Sequence, residues 1–192
     1  MAEPVANTQA GKDGGRLNAP QRRPSAAPTF EVVFADQARF AWRLLIRLGV
    51  SNRDAADVCQ EVFLVVHRRL PQFEATRSSL RSWVYGICIR AASEYRRRNP
   101  ARHEVYDHEH GSMIAAVGQD DSLEAKRAWL KLERALDAMD SDKRQVFVLY
   151  ELENVSMAEI CQILGCPVQT AYSRLHAARR LILAAFQPGD GS

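Results

Sequence analysis

Apolar residues recur at three- and four-residue steps along most of this 192-residue chain, and that spacing constrains the fold more than any other feature. The first such stretch runs from about Thr29 to Gly49, the next ends near Leu70, and a third runs from Ser79 to Arg98. Four more follow in the second half of the chain. Because glycine, proline or asparagine interrupts them, each stretch predicts a separate helix, and the chain as a whole predicts an all-α fold.

The predicted helices fall into two groups. Residues 100–122 between them are polar, acidic and aperiodic, which is typical of a flexible linker. We therefore expect a small helical domain of three to four helices at 29–99 and a four-helix domain at 123–187. Residues 1–28 hold four of the eight prolines and three glycines, and they predict a disordered N-terminal extension.

The charge is distributed unevenly, although the net charge is only +3. Six arginines and one acid lie between residues 77 and 98, whereas one arginine and six acids lie between 101 and 124. A basic block followed by an acidic one predicts a charged working surface next to a solvated segment.

The four cysteines, Cys59, Cys88, Cys161 and Cys166, stand singly in apolar helical patterns without a CxxC pair. They are typical of small core residues in a reduced compartment. Redox sensing by Cys161 and Cys166, which flank one turn, is the alternative. With no apolar signal core and no membrane-length run, we expect a cytoplasmic protein without membrane contact of its own.

A helical corner centred on Gly165 gives the most specific local signal. Ser156 and Glu159 fit a capping box that starts one helix, and Gly165 permits the left-handed backbone that ends it. Pro167 suits the first position of the next helix, where no backbone hydrogen bond is lost. Two short helices joined by a tight glycine turn predict a helix-turn-helix.

The second helix of this corner combines a buried side with a polar side free of acids. The buried side is predicted from Val168, Ala171, Leu175 and Ala178. Side chains that can read base edges or hold phosphates form the other side: Gln169, Thr170, Tyr172, Ser173, Arg174, His176, Arg179 and Arg180. This pattern favours DNA binding; a helical hairpin with a solvated basic face is the alternative.

A second candidate DNA surface lies on the helix predicted at 79–98. Aromatic rings that can stack on unpaired bases alternate there with arginines that can hold phosphates: Trp83, Tyr85 and Tyr95 with Arg81, Arg90, Arg96, Arg97 and Arg98. The alternative is that Trp83 is a core residue and that Arg96–Arg98 form a solvated helix end.

Three motifs in order carry a family resemblance. They are DAADVCQEVFLVVHRRLPQF (54–73), RSSLRSWVYGICIRAASEYRRR (77–98) and the helix-turn-helix, ILGCPVQTAYSRLHAARR. From about Phe30 to Phe186 the chain resembles the extracytoplasmic-function group of the sigma-70 family of bacterial RNA polymerase sigma factors. The resemblance implies sigma region two in the first domain and sigma region four in the second.

The function implied by the resemblance is that of a transcription initiation factor with no catalytic residues, cofactor or metal of its own. Core RNA polymerase would be the main partner, through the clamp helices of its largest subunit and the flap of its second subunit. Promoter DNA and an anti-sigma factor would be the other partners. The residues implied to dock on polymerase are Asp57, Gln60, Glu61 and Phe63.

The resemblance also assigns the two DNA surfaces. The loop Phe73–Ser79 and the helix after it would take the −10 element, hold a flipped base and promote melting, through Phe73, Arg77, Ser79, Arg81, Trp83, Arg90, Arg96, Arg97 and Arg98. The helix-turn-helix residues named above would take the −35 element, with Arg179 and Arg180 on phosphates.

The sequence leaves three alternative functions open. A metal centre could be built from His103, His108 and His110 with Glu104, Asp107 and Glu109, but a linker offers no scaffold to orient them. A regulator that binds duplex DNA without polymerase fits the helix-turn-helix alone. The third alternative is a scaffold that binds only proteins. The arginines of the second domain would then have no role.

Overall fold

The computed structural model describes residues 28–99 and 123–187 of the protein. All regular structure in these two ranges is helical, which confirms the all-α prediction. The α-helices are α1 (Phe30–Arg47), α2 (Asn52–Arg69), α3 (Leu80–Arg98), α4 (Leu123–Asp137), α5 (Ser141–Phe147), α6 (Met157–Leu164) and α7 (Val168–Phe186). A 3-10 turn at Leu70–Gln72 follows α2, and a π-helical segment at Val148–Leu152 continues α5. The predictions for residues 1–27 and 100–122 lie outside the described residues.

The first domain packs α1, α2 and α3 against one another. Gly49, with φ of +99°, turns the chain after α1, since a left-handed backbone is easiest for glycine. Ser51 then caps α2 by accepting a hydrogen bond from the Asp54 backbone N–H at 3.2 Å. The core of this domain is apolar and includes Leu44, Leu45, Val62, Val66 and Val84. The helix boundaries predicted here are confirmed within two residues.

The second domain packs α4, α5 and α6 around α7. Its core includes Leu136, Val146, Leu149, Ile160 and Leu175. No helix among the described residues is long and apolar enough to cross a membrane.

Asp140 caps α5, although the next two residues, Ser141 and Asp142, are of types equally suited to an N-cap. The Asp140 carboxylate accepts a hydrogen bond from the Lys143 backbone N–H at 2.9 Å, and the Asp140 backbone is extended, with φ −63° and ψ 157°. Ser and Asp are equally good N-caps, so composition could not choose among three adjacent candidates. The backbone path out of α4 made the choice.

One residue predicted on a buried helix side is exposed instead. Val168 is 47% exposed at the first turn of α7. A first turn projects beyond the partner helices, so periodicity overestimates burial there.

The two domains contact each other through Arg144, whose side chain is only 2% exposed. Its Nε donates to the Arg47 carbonyl at 2.7 Å and its Nη2 to the Ile46 carbonyl at 3.4 Å, both at the end of α1. Its Nη1 donates to the Leu136 carbonyl at 3.1 Å and to the Asp137 carboxylate at 2.8 Å, at the end of α4. One guanidinium thus joins the carboxyl ends of two helices, where a cation is favoured. The Ile46 and Leu136 carbonyls also accept hydrogen bonds from the Gly49 and Met139 backbone N–H groups.

Replacing Arg144 with alanine should lower the free energy of unfolding by about 3 kcal/mol, since the Arg47 carbonyl and the Asp137 carboxylate lose a buried charged donor. Arg144→Lys should recover only part of this loss, because an ammonium cannot fork toward two helix ends. Urea denaturation of the full chain, followed by circular dichroism, measures both values. Lys143→Ala is the matched control, as it removes a partly exposed pair with Asp140 and should cost under about 1 kcal/mol. Equal losses for Arg144→Ala and Lys143→Ala would contradict the assignment.

Candidate nucleic-acid and polymerase interface

The exposed face of α2 carries three of the four residues expected to dock on polymerase. Asp57, Gln60 and Glu61 are exposed and lie at i, i+3 and i+4 on one side of the helix. Phe63 is different, since it is 3% exposed and its ring centroid lies 4.9 Å from that of Phe34. Phe63 therefore supports this face from the core rather than offering a surface contact.

Sequence reasoning missed an apolar groove beside this face. The groove lies between α1 and α2, has a volume of about 640 Å³, and is lined by Phe34, Trp42 and Leu64 next to Gln60. Phe34 is 47% exposed and Leu64 is 50% exposed. Leu64 lies seven residues after Asp57, so it falls on the same side of α2 as Asp57, Gln60 and Glu61. This spacing is the sequence signal that could have predicted the groove. The exposed face formed by Asp57, Gln60 and Glu61 thus borders an apolar surface that is open to a partner.

The loop before α3 and the first turns of α3 form a second surface. Ser79 accepts a hydrogen bond from the Ser82 backbone N–H at 3.1 Å and so caps α3. The rings of Phe73 and Trp83 lie 5.3 Å apart, which ties the loop to the helix. Arg90 is exposed further along the same side.

A groove of about 570 Å³ separates this part of α3 from α6 of the second domain. Arg77, Trp83 and Arg90 line one wall, and Ala158 and Gln162 line the other. Three of the residues expected at the −10 element are therefore brought together, with an indole ring between two cations. That arrangement suits a nucleic-acid strand, whose bases stack and whose phosphates pair with arginine.

The remaining arginines of α3 do not join this groove. Arg97 and Arg98 are exposed and pair with Glu94 at 2.5 and 3.0 Å, and these pairs lower the pKa of the Glu94 carboxyl. Arg96 turns toward the second domain, where its Nη2 donates to the Met139 carbonyl at 3.1 Å. The sequence had grouped these three as one cluster, whereas the helix divides them between two environments.

Tyr85 and Tyr95 make hydrogen bonds within the first domain. Tyr85 is 2% exposed and accepts a hydrogen bond from Arg81 Nε at 3.1 Å. Burial raises the pKa of the Tyr85 phenol, and the Glu153 carboxylate raises it further. The Tyr95 hydroxyl donates to Asp54 at 2.7 Å and ties α3 to the start of α2. The prediction that the Tyr85 ring stacks on DNA is wrong, because the ring is buried in the core of the first domain. The prediction for Tyr95, which is half-buried, stays a prediction.

The helix-turn-helix has the expected corner. Gly165 adopts the left-handed conformation, with φ 63° and ψ 36°, and the Cys166 backbone N–H donates to the Cys161 carbonyl at 3.2 Å. Ser156 caps α6 through the Glu159 backbone N–H at 3.3 Å. The reciprocal half of the capping box is missing, because the Glu159 carboxylate accepts a hydrogen bond from Ser82 of the first domain. Pro167 is the N-cap of α7 rather than its first helical residue.

The face of α7 predicted to read DNA is largely on the surface. Ala171, Leu175 and Ala178 are buried, as expected. Most of the polar residues are exposed, and Thr170 and Arg174 are half-buried: Gln169, Thr170, Tyr172, Ser173, Arg174, His176, Arg179 and Arg180.

Two arginines of α7 are paired with acids of their own domain. Arg174 donates to the Asp142 carboxylate, and Arg179 lies 2.6 Å from the Glu151 carboxylate and over the Tyr150 ring. These acids hold both guanidiniums in one orientation. A phosphate or base edge would have to displace them.

The cysteine pair at the corner consists of free thiols in this structure. Cys161 and Cys166 are both half-buried, and Cys88 is buried. Desolvation raises the pKa of the Cys161 thiol, and the neighbouring Cys166 thiol adds to the effect. Both effects favour the neutral Cys161 thiol over the reactive thiolate.

Among the described residues no group of His, Cys, Asp and Glu could hold a metal ion. The histidines of 103–110 lie outside that part of the chain.

Comparison with known proteins identifies the architecture. The family described as sigma-70 region 2 matches residues 33–102, and the family described as sigma-70, region 4, matches residues 129–182. The chain is 29% identical over 153 residues to the ECF RNA polymerase sigma-E factor of Escherichia coli K12, covering 75% of this chain and 80% of that protein. It is 30% identical, over the same length and with the same coverage, to the sigma-E factor of Haemophilus influenzae.

A solved structure shares the fold. The sigma factor RpoE of Bartonella quintana, in complex with the anti-sigma factor NepR, superimposes with a TM-score of 0.64 at 19% identity. The match covers 83% of this chain and 98% of that one. The chain therefore belongs to the sigma-70 family, in its extracytoplasmic-function group, and the two helical domains correspond to sigma regions two and four. Members of this family direct RNA polymerase to promoters.

Replacing Gly165 and replacing Gly86 with alanine should change the free energy of unfolding in opposite directions. Gly165→Ala forces a side chain into the left-handed region and should lower the free energy of unfolding by about 1–2 kcal/mol. Gly86 lies within α3, so Gly86→Ala should raise it by about 0.5–1 kcal/mol. An added Cβ meets nothing within 4 Å at either position, so only backbone preference differs. Urea denaturation of both variants measures the difference, and a change of the same sign in both would refute this account of the corner.

Proposed function

We propose that this protein binds core RNA polymerase through α2, captures the melted −10 element on α3 and the loop before it, and reads the −35 element with α7. The observation that carries the proposal is that one chain combines an exposed acidic and amide face with two separate arginine-bearing helix surfaces. A duplex-binding regulator would need only the surface on α7. The domain boundaries that go with this proposal are 29–99 and 123–187.

The polymerase contact is proposed to centre on Asp57, Gln60 and Glu61, with the groove at Phe34 and Leu64 as its apolar part. Exposed acids suit a basic partner surface, and an apolar anchor beside them supplies most of the binding energy in a typical interface. The partner would be the clamp helices of the largest polymerase subunit, while the second domain would meet the flap of the second subunit.

The −10 contact is proposed to use Phe73, Arg77, Trp83 and Arg90 directly. Bases would stack near Trp83 while the two arginines hold phosphates, and binding only the unpaired strand would shift the promoter toward its open form. Ser79 contributes by capping α3. The factor binds and positions the strand, and the polymerase carries out the chemistry.

An anti-sigma factor is proposed as a regulatory partner in the cytoplasm. The Bartonella quintana relative was solved in complex with the anti-sigma factor NepR, and the fold of the present chain is the same. The apolar groove at Phe34 and Leu64 offers such a partner an exposed surface.

Run-off transcription with bacterial core polymerase and a pool of genomic fragments tests the function. The wild-type protein should yield discrete start sites, and Gln60→Lys/Glu61→Lys should abolish both transcripts and co-elution with polymerase, because lysines repel a basic partner. Circular dichroism should show an unchanged fold for the variant, since both side chains are exposed. Asp36→Lys on exposed α1 is the charge-reversal control. No transcripts and no co-elution for the wild type would instead favour a free-standing DNA-binding regulator.

The −35 assignment is tested on a promoter mapped in that experiment. Arg174→Ala should weaken duplex binding by about 1–3 kcal/mol and relax preference at one base position, if the guanidinium contacts a base edge. Arg134→Ala removes the same charge from exposed α4 and should leave preference unchanged. Fluorescence anisotropy on single-base variants of the −35 element distinguishes the two. Equal effects for both substitutions would reduce the role of Arg174 to general electrostatics.

A further inference from the structure

Two cysteines flank the turn of the helix-turn-helix, and the proposed function gives neither of them a role. Cys161 lies in the last turn of α6, and Cys166 lies between Gly165 and Pro167, just before α7. Both are free thiols and half-buried, so each has a side open to solvent. Cys88, by contrast, is fully buried in the first domain. A small oxidant can therefore reach the pair at the turn more easily than the thiol in the core.

The backbone of the turn holds these two cysteines next to each other. The Cys166 backbone N–H donates to the Cys161 carbonyl at 3.2 Å, and Gly165 between them is left-handed, with φ 63°. This is the Schellman arrangement that ends many helices, in which the side chains at these two positions often contact. With standard bond lengths, that hydrogen bond keeps the two Cα atoms within about 7 Å of each other. A disulfide spans Cα separations of about 4.4–6.8 Å, so the turn can accept one without unfolding.

The two thiols also influence each other directly. Burial raises the pKa of the Cys161 thiol, and the Cys166 thiol raises it further through its charge and through a hydrogen bond. A hydrogen bond between two thiols requires their sulfurs to lie side by side. The raised pKa keeps Cys161 largely protonated at neutral pH, so the pair resists traces of oxidant and reacts when oxidant is abundant.

We propose that Cys161 and Cys166 form a redox modification site, at which hydrogen peroxide joins them in a reversible disulfide that weakens binding of α7 to the −35 element. In the first step one thiolate attacks a peroxide oxygen, and the O–O bond breaks to give a sulfenic acid and, after protonation, water. The second thiol then attacks the sulfenic sulfur, and the S–S bond forms as the hydroxyl group leaves as a second water. Two thiols are thus oxidised by two electrons while one peroxide is reduced to two waters.

The consequence for DNA follows from the position of Cys166. It precedes Pro167, the N-cap of α7, so its backbone leads directly into the first two turns of α7, which carry Gln169, Tyr172 and Ser173. Bonded sulfurs lie about 2 Å apart, much closer than sulfurs in non-bonded contact, so the disulfide draws the end of α6 and the start of α7 together. The base-reading turns then lose their alignment with the major groove. The inference rests on the proposed function and adds regulation to its −35 surface.

Peptide mapping of the full chain tests the chemistry. The protein is treated with hydrogen peroxide, its remaining free thiols are blocked with iodoacetamide, and it is digested with trypsin. No lysine or arginine lies between Arg144 and Arg174, so both cysteines fall in one tryptic peptide, 145–174. We expect this peptide to lose the mass of two hydrogen atoms and to take up iodoacetamide only after dithiothreitol. Cys161→Ser should abolish that mass loss, whereas Cys59→Ser, the matched control in the first domain, should keep it.

DNA binding of the same samples tests the consequence. Fluorescence anisotropy measures affinity for a duplex that carries a mapped −35 element. Peroxide should weaken the binding of wild type and of Cys59→Ser about five- to tenfold, and dithiothreitol should restore it. The affinity of Cys161→Ser should not respond to peroxide, because its remaining thiol has no partner. Affinity for single-stranded oligothymidine, which is proposed to bind the first domain, should not respond in any of the three proteins.

The proposal is overturned if iodoacetamide still labels both cysteines of peptide 145–174 after peroxide treatment, or if the disulfide links other cysteines. It is also overturned if the disulfide forms at the turn but the −35 affinity stays the same. The mass measurement on the wild type needs neither DNA nor a folded variant. A protein that forms this disulfide but binds no −35 duplex when reduced would refute the proposed function and leave the modification site established.

Discussion

The most deeply buried side-chain contact between the two domains is made by one cation, Arg144. Arg144 reaches from α5 to the carboxyl ends of α1 and α4, where its guanidinium donates to the Arg47 and Leu136 carbonyls. Few other side chains could do this, because the task needs several donors in a planar fork on a long stem. Gly49 leaves room for it, since a side chain there would press on the guanidinium. The same contact thus fixes the positions of the carboxyl ends of α1 and α4 and of the turn at Gly49.

The candidate site inherits its geometry from this contact. With α5 held against the end of α1, Glu153 falls between Arg47 and Arg81, and α6 faces the first half of α3. The groove around Trp83 exists only because these helices stand opposite each other. Removing Arg144 would therefore change more than stability, as it would change which surface of α3 the solvent meets.

In both domains, exposed arginines form ion pairs with acidic residues that orient them. Asp142 and Glu151 orient Arg174 and Arg179 on α7, and Glu94 orients Arg97 and Arg98 on α3. Such exposed pairs contribute little to folding, so a phosphate can replace the carboxylate at small cost. In the proposed function, a nucleic-acid phosphate would therefore exchange with a carboxylate at these surfaces rather than fill an empty site.

The sequence by itself determined the helices, the corner at Gly165 and the exposed residues of α2 and α7, because helical period, capping and glycine conformation are local properties. It did not determine which of Asp140, Ser141 and Asp142 caps α5, nor that Tyr85 is buried, since both depend on the path between helices. Only the tertiary structure decided that Arg144 joins two helix ends, that Glu159 turns from its capping box to Ser82, and that Arg96 parts from Arg97 and Arg98. These contacts link residues tens of positions apart. Their energy depends on distance, burial and shared partners, which no local pattern encodes.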